Sequence, residues 1–150
     1  MDKVNFEVLR EQIDSLVGSK CEVYDAIGND DALIIPSERL MDVVALIDQI
    51  FDGAHLTTIT AQQRAGQLDL IELMYHFYQK FAFTIIVRLQ AEAPSIASIL
   101  SILPGADFYE REVAEMFGVK FTGRTETPPL LLPDDWDQGP PFIRKEVIDE

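Results

Sequence analysis

Apolar residues in the first third of the chain fall into two helical stripes with a short alternating stretch between them. Phe6, Leu9, Ile13, Leu16 and Val17 recur near helical spacing, which predicts an amphipathic helix over 6–17 ending at Gly18. Cys21, Val23, Asp25 and Ile27 alternate with their neighbours as in a strand, and Gly28-Asn29-Asp30-Asp31 is a turn cluster. A short strand over Ala32 to Ile35 follows. Ser37, just after Pro36, is placed to cap a helix running to Phe51, whose buried stripe would be Leu40, Val43, Val44, Ile47 and Phe51.

The middle of the chain is richer in strand signals. Leu56 to Ala61, Leu68 to Tyr78 and Phe81 to Leu89 read as three β-runs, with turns at Gly66 and at Gln79-Lys80. After Pro94 we expect a helix from Ser95 to Leu103, stopped by Pro104-Gly105. A further short helix is expected over Asp107 to Phe117, where Phe108, Val113, Met116 and Phe117 are apolar and Gly118 supplies the left-handed cap. Helices and strands come in runs, not as strict β-α-β units. That order predicts an α+β two-layer domain, with a mixed or mostly antiparallel sheet packed by helices.

Beyond Gly118 the periodicity fades. Phe121 to Phe142 contains Pro128, Pro129, Pro133, Pro140 and Pro141, which rules out a helix or a central strand. Extended at about 3.3 Å per residue, that stretch would reach on the order of 70 Å. It also carries Leu130, Leu131, Leu132, Trp136, Phe142 and Ile143, too apolar a set for a disordered linker. We therefore expect a domain over 1–121 and an extended, proline-rich partner-binding tail over 122–150, held against its own domain or against a neighbour.

Composition narrows the chemistry. The chain has 150 residues, 47% of them hydrophobic, enough for one core and too few for two. Its 26 acidic and 12 basic residues give a net charge of -14, which opposes binding to nucleic acid or to anionic lipid. Cys21 stands alone, so no disulfide framework or thiolate cluster is encoded, and we read it as a small buried hydrophobe. Met1 to Arg10 does not read as a signal peptide, and no apolar run reaches the roughly 18 to 20 residues of a membrane helix. His55 and His76 are too isolated for a metal motif. Glu110, Glu112 and Glu115 offer carboxylates, but a salt-bridged helix face is the simpler reading, since no nearby histidine or aspartate completes a catalytic set. There is no nucleophile elbow, phosphate loop or Gly-x-Gly-x-x-Gly sequence.

The last third carries the specific signal. Glu110-Arg111-Glu112 is followed by Glu115-Met116-Phe117-Gly118, Val119 and Phe121, then by Leu131-Leu132-Pro133-Asp134-Asp135-Trp136 and Arg144-Lys145. This ordered pair of motifs resembles the 30-kilodalton subunit of respiratory complex I, with relatives in energy-converting membrane-bound hydrogenases. The matched motifs lie within Pro104 to Lys145. Where complex I members usually carry Gly-His-Pro and an arginine pair, the chain reads Gly123-Arg124-Thr125 and Pro128-Pro129; Glu115 stands in place of the usual Asp, and Ala114 replaces a common aromatic. Both branches of the family thus stay open.

The resemblance implies a non-catalytic peripheral-arm subunit that holds no cofactor. NADH, flavin, iron-sulfur clusters and quinone, or a nickel-iron centre, would belong to partner subunits. It implies docking on the large 49-kilodalton-type subunit, or on a hydrogenase large subunit, beside other peripheral-arm subunits on the cytoplasmic side of the membrane. The expected partner interface comprises Glu110, Arg111, Glu112, Glu115, Phe117, Gly118, Leu132, Asp134, Asp135, Trp136, Arg144 and Lys145, with Trp136 as its anchor and the last two as rim contacts. Two other classes compete: a small metal-dependent enzyme built on Glu110, Glu112 and Glu115, and an independent regulatory binding module.

Overall fold

The computed structural model describes residues 6–23, 32–51, 54–76 and 80–143. The amphipathic stripe of Phe6–Val17 forms α1, burying Leu9 and Ile13, and the Gly18 amide closes it on the Asp14 carbonyl at 2.9 Å. A two-residue strand, Glu22–Val23 (β1), pairs antiparallel with Ala32–Ile35 (β2). The rest of the alternating stretch expected to reach Ile27, and the turn at 28–31, lie outside the described residues.

Ser37 does not cap a helix. Ser37–Arg39 forms a 3-10 turn in which the Arg39 amide bonds the Pro36 carbonyl at 3.0 Å, and the Ser37 hydroxyl faces Glu38 instead. The α-helix follows as Leu40–Ile50 (α2), because the turn brings Leu40 into the core at the head of the stripe Leu40, Val43, Val44 and Ile47. Three long strands then form a meander: Ala54–Arg64 (β3), Gln67–His76 (β4) and Phe81–Gln90 (β5). β3 and β4 pair antiparallel around Ala65-Gly66, as do β4 and β5, and β5 returns to lie parallel to β2. The sheet order is β1-β2-β5-β4-β3, a mixed sheet with the helices packed on one face. The meander reverses the chain beside β2, which is why one pair is parallel in an otherwise antiparallel sheet.

The expected helix over Ser95 to Leu103 is absent. Ser95–Ala97 is a strand (β6) that pairs parallel with Lys120–Thr122 (β7), and the chain then turns so that the Ile102 and Leu103 amides both bond the Ile99 carbonyl. Long-range pairing overrides the local helical pattern here, with Ile96 and Ile99 both buried. Pro104 does not simply stop a helix: Pro104–Ala106 is a 3-10 turn leading straight into Asp107–Phe117 (α3). Pro suits this first position, where no amide donor is needed.

One continuous apolar core fills the space between the sheet and the helices, with Leu33, Leu68, Leu70, Phe83, Ile85 and Val87 facing Leu9, Ile13, Val43, Val44 and Val113. Cys21 lies within it, its amide bonded to Asp14 at 2.7 Å; burial first, and then Asp14, push its thiol up to about 11. On the other face Glu22, Arg88, Asp69 and Arg64 form a charge row across the strands, at 3.3, 3.6 and 3.2 Å in turn.

Candidate functional site

The motif residues converge on α3 and the chain that leaves it. The helix starts without a side-chain cap, but Asp107 and Glu110 in its first turn sit at the positive end of the helix dipole. Its C-terminus is closed by Gly118 at φ 72, whose amide bonds the Ala114 carbonyl at 2.9 Å. β7 then carries the chain to Thr122 beside β6.

Glu110 is 0% exposed. Its Oε1 accepts the Ile99 amide at 2.8 Å, and its Oε2 accepts the Ser98 hydroxyl at 2.7 Å and Arg124 Nη1 at 2.8 Å. Arg124 Nη2 bonds Asp107, so one guanidinium ties the first turn of α3 to the segment after β7. Arg111 is three-quarters or more covered; it reaches the Pro128 carbonyl at 3.0 Å and Asp107 at 3.7 Å, with its guanidinium over the Phe108 ring at 5.8 Å. Glu112 is exposed.

Glu115 performs a different task. Its carboxylate accepts the successive amides of Leu130, Leu131 and Leu132, the last two at 2.8 and 3.1 Å. Partial desolvation raises its pKa, but those three donors, together with Arg111, outweigh that and hold it below the ordinary carboxylate value. Further along, the Phe142 amide bonds the Met116 carbonyl at 2.9 Å, and its ring meets Phe117 edge-on at 5.5 Å. Pro140 presses on Gly118, where a Cβ would lie 2.8 Å from its Cγ. Trp136 donates its indole N–H to the Gly139 carbonyl at 2.7 Å and is 39% exposed. Asp134 and Asp135 are exposed, Leu132 is half-buried, and Arg144 and Lys145 lie outside the described residues. Between α3, β7 and the 123–129 segment runs an open groove of about 550 Å³, lined by Arg111, Ala114, Val119, Phe121 and Arg124 among others.

The three glutamates are not gathered about a common point: one is buried, one exposed, one clasping backbone. Among the described residues no group of three or more His, Cys, Asp or Glu side chains could hold a metal ion. His76 is buried, stacked on Phe81 at 5.6 Å and edge-on to Phe51 at 5.7 Å, while His55 is exposed on β3. Sequence reasoning missed Arg124 and Ser98 as partners of Glu110. Arg124 was visible as a departure from the family pattern; Ser98 gave no local signal.

Comparison with known proteins extends the likeness well beyond the terminal motifs. The family described as "Respiratory-chain NADH dehydrogenase, 30 Kd subunit" matches residues 33–149. The C subunit of the NADH-quinone oxidoreductase of Roseiflexus castenholzii is 29% identical over 139 residues, covering 89% of this chain and 76% of that protein. The C subunit of the F(420)H(2) dehydrogenase of Methanosarcina mazei is 27% identical over 133 residues, covering 84% of each. Among solved structures, a chain of the membrane-bound sulfane sulfur reductase, an archaeal respiratory membrane complex, shares the fold with a TM-score of 0.67 at 19% identity, over 83% of this chain and 76% of that one.

Proposed function

The chain belongs to the family of the 30-kilodalton subunit of respiratory-chain NADH dehydrogenase, and on that premise we propose that it serves as a cofactor-free assembly subunit of the peripheral arm of a proton-pumping NADH:quinone oxidoreductase. It docks on the large 49-kilodalton-type subunit through α3 and through a partner-binding tail, 122–150, which follows the 1–121 domain and whose described part, up to Ile143, is bonded to α3. The nicotinamide, flavin, iron-sulfur and quinone sites belong to its partners. The protein reaches the cytoplasmic side of the membrane through the complex; among the described residues no helix is long and apolar enough to cross a membrane.

The observation that carries this reading is where large apolar side chains are left in water. Among the described residues, the three most exposed large apolar side chains, Phe108, Leu131 and Phe142 at 62%, 58% and 58%, and Trp136 at 39%, lie on α3 or the chain after it, while Val8 and Ile50, at 40% and 37%, stand singly on α1 and α2. Apolar surface concentrated in one region and rimmed by polar groups marks an interaction site. Glu112, Asp134 and Asp135 supply that rim, while Glu110 and Glu115 hold the surface in shape from beneath. The M. mazei relative favours a second reading of the electron input, in which the donor is not NADH.

Affinity purification of the tagged chain from gently solubilised membranes of its source tests the proposal. Quinone-reductase subunits are expected to co-purify, nickel-iron subunits would move it to the hydrogenase branch, and recovery of the chain alone would overturn it. Trp136→Ala is expected to weaken capture by about 2 kcal/mol or more if this tryptophan is a hot spot. Its half-exposed position predicts a change in domain stability of no more than about 0.5 kcal/mol. Capture of the variant at the wild-type level would remove Trp136 from the interface.

A further inference from the structure

Outside the motif, a further buried carboxyl lies on the core face of β4. The inward register of β4 runs Leu68, Leu70, Glu72, Met74 and His76, so Glu72 stands where the pattern calls for an aliphatic side chain. Ile59 of β3 and Ile85 of β5 are its cross-strand neighbours, and neither strand sets an ionisable group opposite it. Glu72 is 1% exposed, and its Oε2 has no hydrogen-bond partner among the described residues. α3 packs against β3, and the charge it brings to bear on Glu72 is that of Glu110.

Glu110 is fully engaged by Ile99, Ser98 and Arg124, and Arg124 is shared with Asp107. The guanidinium that could balance a second negative charge is already committed. An unpaired buried carboxylate takes up a proton instead of remaining ionised. We infer that Glu72 and Glu110 form a proton-binding pair with room for one negative charge, in which Glu72 holds the proton and its release loosens the seating of α3 on the sheet. The inference does not depend on what α3 docks against.

Burial, and then the charge of Glu110, push the Glu72 carboxyl from an ordinary 4.5 to about 8. Between those values the folded chain keeps a proton that the unfolded chain has lost. The stabilisation is complete below the lower value and falls about tenfold in the folding constant per pH unit as pH rises toward the higher one, then levels off.

The test is a carboxyl ¹³C NMR titration of the 150-residue chain from about pH 5 to 9, with chemical denaturation of wild type and Glu72→Gln over the same range. One carboxyl resonance, absent from the variant, is expected to titrate near pH 8. The Ile99 amide, which donates to Glu110, should move with the same midpoint in wild type only. From pH 5 to 8 the variant should gain roughly four-hundredfold in folding constant relative to wild type. A Glu72 midpoint in the ordinary carboxylate range overturns the inference. So does a stability difference that is the same at every pH, since it would report lost packing and no linked proton. If the variant fails to fold, the wild-type titration still decides.

Discussion

On the inner face of β4 and β5, Leu68, Leu70, Met74, Phe83, Ile85 and Val87 are each no more than 1% exposed, whereas from Lys120 to Ile143 every residue is exposed or half-buried. The sheet coheres through aliphatic burial, worth about 1.5–3 kcal/mol per large side chain and indifferent to direction. The chain from Lys120 onward is tied to α3 by carboxylates that each collect several donors, at about 1.5–3 kcal/mol for a hydrogen bond to a charged group. Similar energies are therefore spread over many residues in one region and concentrated in two or three in the other. A surface that must present apolar side chains to a partner cannot also bury them, and backbone-to-carboxylate bonds give it shape without a core of its own.

Glu110→Ala should break this contrast most severely. It would leave the Ser98 hydroxyl and the Ile99 amide without their buried acceptor and Arg124 with Asp107 alone, and losing one member of a buried ion pair costs about 3–5 kcal/mol. Urea denaturation should show the loss. A change below about 1 kcal/mol would mean that the network decorates α3 and does not seat it.

Gly118→Ala should come next, with Gly66→Ala as its control. Both glycines hold positive φ, 72 and 70, so each substitution meets the left-handed penalty of about 1–2 kcal/mol. Only at position 118 does the new methyl collide with Pro140; at position 66 nothing lies within 4 Å. Both variants should lose similar stability in denaturation, and only Gly118→Ala should expose the 124–142 segment to limited proteolysis. Equal protease sensitivity would separate the cap from the docking of that segment.

The two regions also differ in how far they are legible. Strands β3 to β5 and helices α1 and α3 follow from stripes and alternation within a few residues, because burial acts on each element's own periodicity. Ser95–Ala97 reads as helix in sequence because its strand partner, Lys120–Thr122, lies beyond an entire helix, and no local pattern encodes that pairing. The same distance hides the role of Glu110: its donors come from Ser98, Ile99 and Arg124, brought together only by the α3 crossover. Glu72 is legible in principle, since it shares a strand face with Leu70 and Met74. The family motif, by contrast, points at α3 directly, without showing that its first glutamate is buried and its acidic partner at 115 clasps backbone.

The smallest expected effect, Glu115→Gln, sharpens the contrast through its sign with pH. Glu115 is held below the ordinary 4.5 by the Leu130, Leu131 and Leu132 amides, despite the opposing push of desolvation. Its contribution is therefore present above that value and lost as pH falls through the lowered one, opposite to the behaviour of Glu72. Because the clasp is at the surface, its neutralisation should change global stability by less than about 1 kcal/mol. Locally the effect should be plain: hydrogen exchange at Leu131 and Leu132 should quicken in the variant at neutral pH, while amides of β4 and β5 keep their protection. Unchanged exchange at Leu131 and Leu132 would show that the Arg111–Pro128 bond and the Pro140 and Phe142 contacts hold the segment on α3 without the clasp. Acid should thus loosen the chain after α3 and alkali should loosen α3 itself, so that the two carboxyls bracket the pH range in which the proposed docking surface keeps its shape.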